Sequence, residues 1–134
     1  MLVLAYLLAD RFLFQYQFSR NCQTEYRCIQ LEVVDSEDRR ERGLSNRENL
    51  ARNQGMLFIF DSPDEYCFWM KDMKFPIDII WLDSDKKIVG IEHKVSPDTY
   101  PKSFCPSKPS LYVIEVEDGL ARRARLKLGQ QINF

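Results

Sequence analysis

The sequence has little of what common catalytic and metal sites require. Its 134 residues include one histidine, His93, so neither a classical zinc site nor a Ser-His-Asp triad is favoured. No nucleophile-elbow, P-loop, dinucleotide-binding or H-E-x-x-H pattern occurs. Lys and Arg number 19 against 20 Asp and Glu, so no excess charge argues for nucleic acid. We therefore expect no metal, no cofactor and no nucleic-acid partner.

Cysteine pairs of the C-x-x-C type are also absent. The four cysteines are Cys22, Cys28, Cys67 and Cys105, a spacing that supports neither a thioredoxin-type motif nor a zinc ribbon. Cys22 could pair with Cys28, and Cys67 with Cys105, in an oxidising compartment. Four reduced, mostly buried thiols are the favoured interpretation.

No apolar run is long enough to cross a bilayer. Residues 1–18 are the most apolar part of the chain, but the uninterrupted run covers only residues 2–9, and a spanning helix needs about 20 residues. We expect residues 1–26 to be a possible signal or membrane anchor, with membrane contact through residues 1–18, and favour a membrane-anchored or extracytoplasmic location. The alternative is an apolar helix packed on the domain or on a second copy.

Apolar residues are plentiful, at 45% of the chain, and aromatic residues make up 13%, enough for the core of one domain. Residues 27–34 alternate apolar and polar side chains, which predicts a half-buried strand. The charged run that follows predicts a short helix over residues 37–42, with an N-cap at residues 35–36 and an end at Gly43. We expect a single globular β-rich domain over residues 27–134.

Short strands predominate in the rest of the chain. Apolar runs at residues 56–60 and 66–70 predict strands on either side of a turn at residues 61–64. The remaining predicted elements are a hairpin over residues 77–93, a proline-rich loop over 96–109, a strand over 111–116, a helix over 119–128 and a strand over 132–134. This order predicts a mainly β, α+β fold, a small antiparallel barrel or sandwich with one or two short helices.

Several motifs together resemble a known family. They are Arg40-x-x-Gly43-Leu44-x-x-Arg47-x-x-x-Leu50, Gly55-Met56-Leu57-Phe58-x-Phe60, Phe68-Trp69-Met70-Lys71-Asp72-Met73, Pro76-Ile77-Asp78-Ile79, and Tyr112-Val113-Ile114-Glu115-Val116 before Gly119. Over residues 30–134 they resemble the bacterial and archaeal domain-of-unknown-function family 192. The resemblance implies a small β-barrel-like α+β domain and frequent export. The family has no known activity, so no catalytic role is implied for any residue.

The motif around Trp69 contains the densest group of side chains suited to binding a ligand. Large rings could stack on a ligand while adjacent charged groups orient it, and arginines could form fork-like contacts with a carboxylate or phosphate. The candidate ligand-binding residues are Arg40, Arg47, Phe68, Trp69, Lys71, Asp72 and Asp78. Alternatively, the aromatic residues belong to the core and Asp78 forms an ion pair with Lys71 or Arg47.

A soft-metal site is a further possibility, because Cys67, Met70 and Met73 occur at every third position and Cu(I) favours sulfur ligands. A spacing of three puts successive residues on opposite faces of a strand, so core sulfur is favoured instead.

Enzyme chemistry has weak support in the sequence. Asp72 and Asp78 could act as paired carboxylates, or Cys67 or Cys105 could act as a nucleophile with His93 as base.

The leading hypothesis is a noncatalytic binding or accessory domain, membrane-associated or exported. Its aromatic and charged cleft would take a small polar or anionic ligand, with the proline-rich loop as a movable rim. The alternatives are a hydrolase-like or other enzyme and a protein-interaction module with a flat apolar patch.

Overall fold

Residues 15–17 and 29–134 are described by the structure, a computed structural model, with side chains described from residue 29 onward. The strands are β1 (Gln15–Gln17), β2 (Gln30–Val34), β3 (Gln54–Asp64), β4 (Phe68–Trp69), β5 (Ile77–Leu82), β6 (Ile88–Val95), β7 (Ser103–Phe104) and β8 (Ser110–Glu117). The helices are α1 (Glu37–Arg42), α2 (Leu120–Arg123) and a 3-10 turn at Pro97–Thr99.

Six of the strands form one mixed sheet in the order β1-β2-β3-β8-β5-β6, and β4 pairs with β7 in a separate two-stranded sheet. β2 and β3 are parallel and are connected through α1. The other ladders are antiparallel. The predicted mainly β, α+β class with two short helices is therefore confirmed.

A closed barrel does not form among the described residues, because β1 and β6 lie at opposite edges of the sheet. The barrel alternative of the prediction is therefore wrong and the β2–β3 ladder is parallel, whereas the sandwich-like alternative is compatible with the observed sheets. A parallel pair requires a crossover connection, and this crossover adds a layer over one face of the sheet. Layers on both faces, rather than closure of the sheet on itself, bury the apolar side chains.

Each face of the sheet carries its own hydrophobic core. On the first face, α2 and the C-terminal segment cover residues that include Leu57, Ile80 and Ile114. On the second face, the segment after α1 and the β4–β7 pair cover residues that include Phe58, Trp81 and Val113. Because β5 lies between two covered faces, all six of its residues are buried.

Asp78 is a buried polar residue on the first face of the sheet. Its Oδ2 atom accepts a hydrogen bond of 2.9 Å from the Ala121 amide, and its Oδ1 atom accepts one of 2.9 Å from the Lys94 amide. Ala121 belongs to the first turn of α2, whose own N-cap, Gly119, has no side chain to cap it. Asp78 therefore caps α2 from a neighbouring strand and holds the helix on the sheet.

The hairpin, the helix at residues 37–42 and the strand ended by Val34 form where they were predicted. The predicted turn at residues 61–64 does not, because β3 continues to Asp64. Its ladder with β8 is irregular between Ile59 and Asp64. Exposed polar residues with a proline are typical of turns, but an irregular strand end accommodates the same residues.

The C-terminal predictions are corrected in two places. The predicted helix over residues 119–128 is limited to α2, and Arg125, with a positive φ of 55°, lies where the chain leaves the helical path. The predicted strand over residues 132–134 is replaced by one bridge between Lys87 and Gln131. The apolar side chains of this segment still pack on the first face, but positive φ at Arg125 and Gly129 interrupts the regular backbone, so local pattern overestimated its regular structure.

Cys67 and Cys105 form a disulfide, so the favoured expectation of reduced thiols is wrong for this pair. The bridge joins segments 38 residues apart, beside the ladder between β4 and β7. It ties the end of the proline-rich loop to the residues preceding Trp69. Cys22 and Cys28 lie outside the described residues.

The predicted signal or anchor segment, residues 1–26, lies outside the described residues except for the backbone of β1, which pairs with β2. Of the helices that the structure describes, none is both long and apolar enough to span a membrane.

Candidate ligand-binding cleft

An open cleft of about 580 Å³ lies on the second face of the sheet, between α1 with its following turn and the segments that carry β3 and β4. Most of its lining residues are aromatic or charged. They include Phe58, Phe60, Tyr66, Phe68, Trp69, Arg40, Arg42, Glu37, Glu41, Asp61 and Glu115. We call this space the cleft.

The turn after α1 forms one wall of the cleft. α1 ends at Gly43, whose φ is +49° and whose N–H donates to the Arg39 carbonyl at 3.0 Å. A side chain at this position would adopt an unfavourable left-handed conformation. The turn then buries Leu44 in the core of the second face. α1 itself buries no residue, so its charged side chains remain available at the rim of the cleft.

Aromatic side chains form the opposite wall and hold one another in position. Phe58 and Phe68 make an edge-to-face contact with ring centroids 4.9 Å apart. Phe60 and Tyr66 are stacked, with centroids 3.5 Å apart, and the Tyr66 hydroxyl donates to the Ser62 carbonyl at 2.6 Å. These contacts fix the rings before any ligand arrives.

Trp69 differs from the other aromatic residues of the cleft because half of its surface is exposed. It lies in β4 opposite Ser103, and its ring contacts Tyr100 with centroids 5.5 Å apart. Lys71 Nζ lies 5.7 Å from the centroid of the Trp69 ring, within the range of a cation–π contact. Lys71 therefore stands beside Trp69, as the sequence suggested, but outside the lining of the cleft.

Glu115 is the functional candidate that sequence reasoning missed. It lies in β8 between Met56 and Ile79 of the neighbouring strands, and only 5% of its surface is exposed, where it lines the cleft. Its carboxyl group makes no hydrogen bond to the other described residues, and its oxygen atoms are not fully sealed from solvent. Burial raises the pKa of Glu115 from 4.5 to about 8, against the opposing effect of Arg47. At neutral pH this group is mainly a protonated acid.

A signal for Glu115 was available in the sequence. The predicted strand over residues 111–116 is apolar apart from Tyr112 and this one acid. A carboxyl group in the middle of a central strand must be paired or neutral, or must face a cavity.

Arg40 lies in the cleft wall but its guanidinium is already engaged. Nη1 donates to the carbonyls of Asp35 and Ile59 at 2.6 and 2.7 Å. Nη2 lies 3.9 Å from the Asp61 carboxylate, and the group stacks 5.1 Å from the Phe60 centroid. Arg40 therefore fastens α1 to β3, with little free capacity for an anionic ligand.

Arg47 pairs with Glu32, with Nη2 and Oε2 2.8 Å apart. Arg47 does not pair with Asp78, so the alternative that joined these two residues is wrong. Its influence on the cleft is electrostatic, because it lowers the pKa of Glu115 against the effect of burial. The seven-residue spacing of Arg40 and Arg47 does not bring both guanidinium groups onto one ligand, since each has a different protein partner.

Asp72 and Asp78 do not lie in the cleft. Asp72 is exposed at a turn position with a φ of 56°, and Asp78 is on the other face of the sheet beneath α2. Because Asp72 is exposed and both oxygens of the buried Asp78 accept from main-chain amides, the two acids do not form the carboxylate pair considered above. Lys71 likewise does not pair with Asp78, whose oxygens accept from main-chain amides.

The sulfur hypotheses also change. Cys67 and Cys105 are bonded to each other, so neither is a free nucleophile or a thiolate ligand in this state. Met70 is buried in the core of the second face. Within residues 29–134, no three His, Cys, Asp or Glu side chains converge as a possible metal site.

The fold and cleft define the protein as a small α+β domain in which layers cover both faces of a mixed sheet. Residues 19–134 match domain-of-unknown-function family 192, described as "Uncharacterized ACR", and the chain belongs to this family. The family suggested by the sequence motifs is thereby confirmed.

Two solved structures are similar to the chain. One, from Sinorhizobium meliloti 1021, is described as a "putative transcription regulator"; it is 27% identical, with a TM-score of 0.75 over 79% of this chain and 81% of that one. The other, a protein of unknown function from Novosphingobium aromaticivorans DSM 12444, is 28% identical, with a TM-score of 0.76 over 80% of this chain and 76% of that one. No curated protein matches the chain.

Proposed function

We propose that this protein is a noncatalytic binding domain whose cleft takes a small, neutral polar ligand, and that it acts outside the cytoplasm. The observation that carries the proposal is Glu115, a buried acid that lines the cleft without a hydrogen-bond partner among the described residues. In its protonated form it donates a hydrogen bond to an acceptor on the ligand, such as a carbonyl oxygen. Trp69 and Phe68 supply apolar surface beside it.

Charge in the cleft supports a neutral ligand over the anionic one first considered. Two arginines, Arg40 and Arg42, line the cleft with three acids at Glu37, Glu41 and Asp61. Arg40 is committed to main-chain carbonyls. The lining thus carries ionised side chains of both signs in nearly equal number, which gives a charged ligand of either sign little net attraction to offset its loss of hydration.

The disulfide supports a location outside the cytoplasm. Such bonds persist in oxidising compartments and are rare where thiols are kept reduced. Cys67 lines the cleft, and its bond to Cys105 joins the segments around β4 and β7. The proposed export or membrane association rests on this bond together with the apolar character of residues 1–18.

Charge does not favour the nucleic-acid partner that the description of one structural relative as a transcription regulator suggests. The chain has a formal net charge of −1, and acids outnumber arginines along the cleft. Neither feature favours a nucleic-acid backbone.

Thermal shift across neutral monosaccharides, small amides, short peptides and anions such as acetate and phosphate tests the proposal. We expect a neutral compound with a carbonyl acceptor to raise the midpoint of unfolding, and Trp69→Ala to remove this shift. Leu128→Ala, which truncates an exposed apolar side chain outside the cleft, is the matched control. Stabilisation by anions alone, or an equal loss in both variants, would contradict the proposal.

Binding titrations with the compound that the thermal-shift screen identifies distinguish the two protonation states of Glu115. If the protonated acid donates, Glu115→Gln retains a donor and keeps binding, whereas Glu115→Leu loses it. Wild-type affinity then falls about tenfold per pH unit above a pH of about 8, and that of Glu115→Gln does not. Binding that strengthens above this pH and disappears in Glu115→Gln would assign the role to the carboxylate instead.

A further inference from the structure

We propose that Trp69 and Tyr100 form a second subsite, continuous with the cleft, and that the natural ligand is a neutral N-acetylhexosamine oligomer spanning both. We call these two side chains the shelf. The inference rests on the proposed function, because it extends the same site and names the chemical class of its ligand.

The shelf brings together two of the three large apolar side chains that are exposed within residues 29–134. Trp69 is 50% exposed and Tyr100 45%, and the third, Leu128, is outside the cleft lining. Trp69 lines the cleft and Tyr100 does not, yet their rings touch with an interplanar angle of 60°. Aromatic surface thus continues from the cleft onto the exterior of the domain. Isolated exposed apolar residues are common, but a contiguous pair at the mouth of a cleft marks a binding surface.

The position of the shelf is maintained by long-range contacts. Trp69 pairs with Ser103 across β4 and β7, and the neighbouring Phe68 pairs with Phe104. The disulfide between Cys67 and Cys105 flanks this ladder. Tyr100 follows the 3-10 turn, and its N–H donates a hydrogen bond to the Pro97 carbonyl, 3.2 Å away. The main chain that carries both rings is therefore fixed before a ligand binds, which limits the ordering cost of stacking.

The ligand class follows from the chemistry of the two subsites. Pyranose rings present flat C–H faces that suit aromatic side chains, and an acetamido group presents the carbonyl that a protonated Glu115 requires. Such an oligomer is uncharged, in keeping with the balanced charges of the cleft. A peptide that docks by strand addition would rely on main-chain hydrogen bonds at a strand edge, whereas the features here are ring faces and an acid.

Calorimetric titration with N-acetylglucosamine and its β-1,4-linked dimer, trimer and tetramer tests the shelf. We expect affinity to rise at least tenfold from the monomer to the trimer in wild type. Tyr100→Ala removes this gain with chain length, and Leu128→Ala retains it. Because Tyr100 is exposed, its truncation is compatible with folding, and unchanged midpoints of unfolding verify this for both variants.

Fluorescence supplies a second measurement that does not depend on a variant. The chain has two tryptophans, of which Trp81 is buried and Trp69 half exposed. The trimer should shift emission to the blue and protect Trp69 from acrylamide quenching, because stacking removes water from its ring.

Affinity that is independent of chain length, or that rises equally in Tyr100→Ala, would overturn the shelf while leaving Glu115-dependent monomer binding, and so the proposed function, intact. Absence of Glu115-dependent binding for every neutral probe would overturn the proposed function itself. Trp69-dependent binding of a short N-acetylated peptide in place of the sugars would overturn the assigned ligand class.

Discussion

The two faces of the sheet each bury one carboxyl group, and they use it in opposite ways. Asp78 on the first face accepts hydrogen bonds from the amides of Lys94 and Ala121. Glu115 on the second face lies one strand away, beside Ile79, and makes no hydrogen bond to the described residues. Both are almost inaccessible to solvent. The protein itself supplies hydrogen-bond donors to the Asp78 carboxylate, whereas the Glu115 carboxyl group faces a cleft.

The difference shows that burial alone does not identify a functional acid. A buried carboxyl group with two main-chain donors contributes to stability, because its desolvation is offset by hydrogen bonds. A buried carboxyl group without donors is unfavourable when ionised. Such groups occur most often at functional sites, where the group binds a ligand. The sequence offered Asp78 as a candidate site residue, and the structure places Glu115 at the cleft instead.

The largest predicted effect is the dependence of stability on pH through Glu115. Its pKa in the folded protein, about 8, is above the unfolded value of 4.5. The folded state therefore binds this proton more tightly, and stability falls as pH rises from 4.5 to about 8. At about 1.4 kcal/mol per pH unit, this interval amounts to about 5 kcal/mol.

Chemical denaturation of wild type and Glu115→Gln from pH 4 to 9 measures this effect. The difference between the two proteins should grow in favour of Glu115→Gln as pH rises and should level off above about pH 8. Parallel pH profiles would show that Glu115 ionises normally and would remove the contrast between the two faces.

The next largest effect is predicted for the disulfide, which stabilises the second face. A bridge across 38 residues contributes about 4 kcal/mol in the chain-entropy description. Cys67→Ser with Cys105→Ser should lose about this much in urea denaturation. Amide exchange should accelerate around Trp69 and Phe104, whereas the Lys94 and Ala121 amides held by Asp78 should keep their protection relative to global unfolding. Equal acceleration on both faces would mean that the bridge stabilises the domain as a whole.

Asp78 is predicted to have a somewhat smaller effect, confined to stability. Asp78→Asn replaces one accepting carboxylate oxygen by an NH₂ group, which then faces a main-chain N–H. Because two donors oppose each other, the free energy of unfolding should fall by about 3 kcal/mol. Asp72→Asn removes the same charge from an exposed turn whose positive φ asparagine tolerates, and should stay within about 0.5 kcal/mol of wild type. Loss of ligand binding in a folded Asp78→Asn protein would return Asp78 to the site.

The smallest effect is expected from Arg47, which lowers the pKa of Glu115 against burial. Arg47→Gln should raise that pKa further, so the pH at which stability levels off moves upward. Nuclear magnetic resonance titration of the Glu115 carboxyl carbon measures the change directly. An unchanged titration would show that Arg47, through its pairing with Glu32, has no net influence on the cleft.

Local pattern in the sequence was sufficient for many of the elements. The hairpin of β5 and β6, the helix ended by Gly43 and the apolar run of β3 are determined by short-range turn, cap and periodicity signals. The order of the elements predicted the fold class, and the motifs added the family. Of the predicted site residues, Arg40, Phe68 and Trp69 line the cleft, because they occur on segments that the turn after α1 and the β4–β7 pair bring to the same face.

Other features depended on contacts that no local pattern encodes. The parallel pairing of β2 with β3 and the Cys67–Cys105 bond join segments that are distant in the chain. The turn predicted at residues 61–64 failed because an exposed strand end and a turn favour the same residues. Asp78 was assigned to the site because sequence cannot show that two amides from different elements will meet its oxygens.

By itself the sequence determined a mainly β domain, its family, most of its strands, and an aromatic segment around Trp69 suited to binding. Only the tertiary structure decided which carboxyl group is structural and which faces the cleft. Alternation along a strand predicts that a side chain points to one face or the other. Whether that face supplies donors, as α2 does for Asp78, or an open cavity, as for Glu115, depends on the elements packed against it.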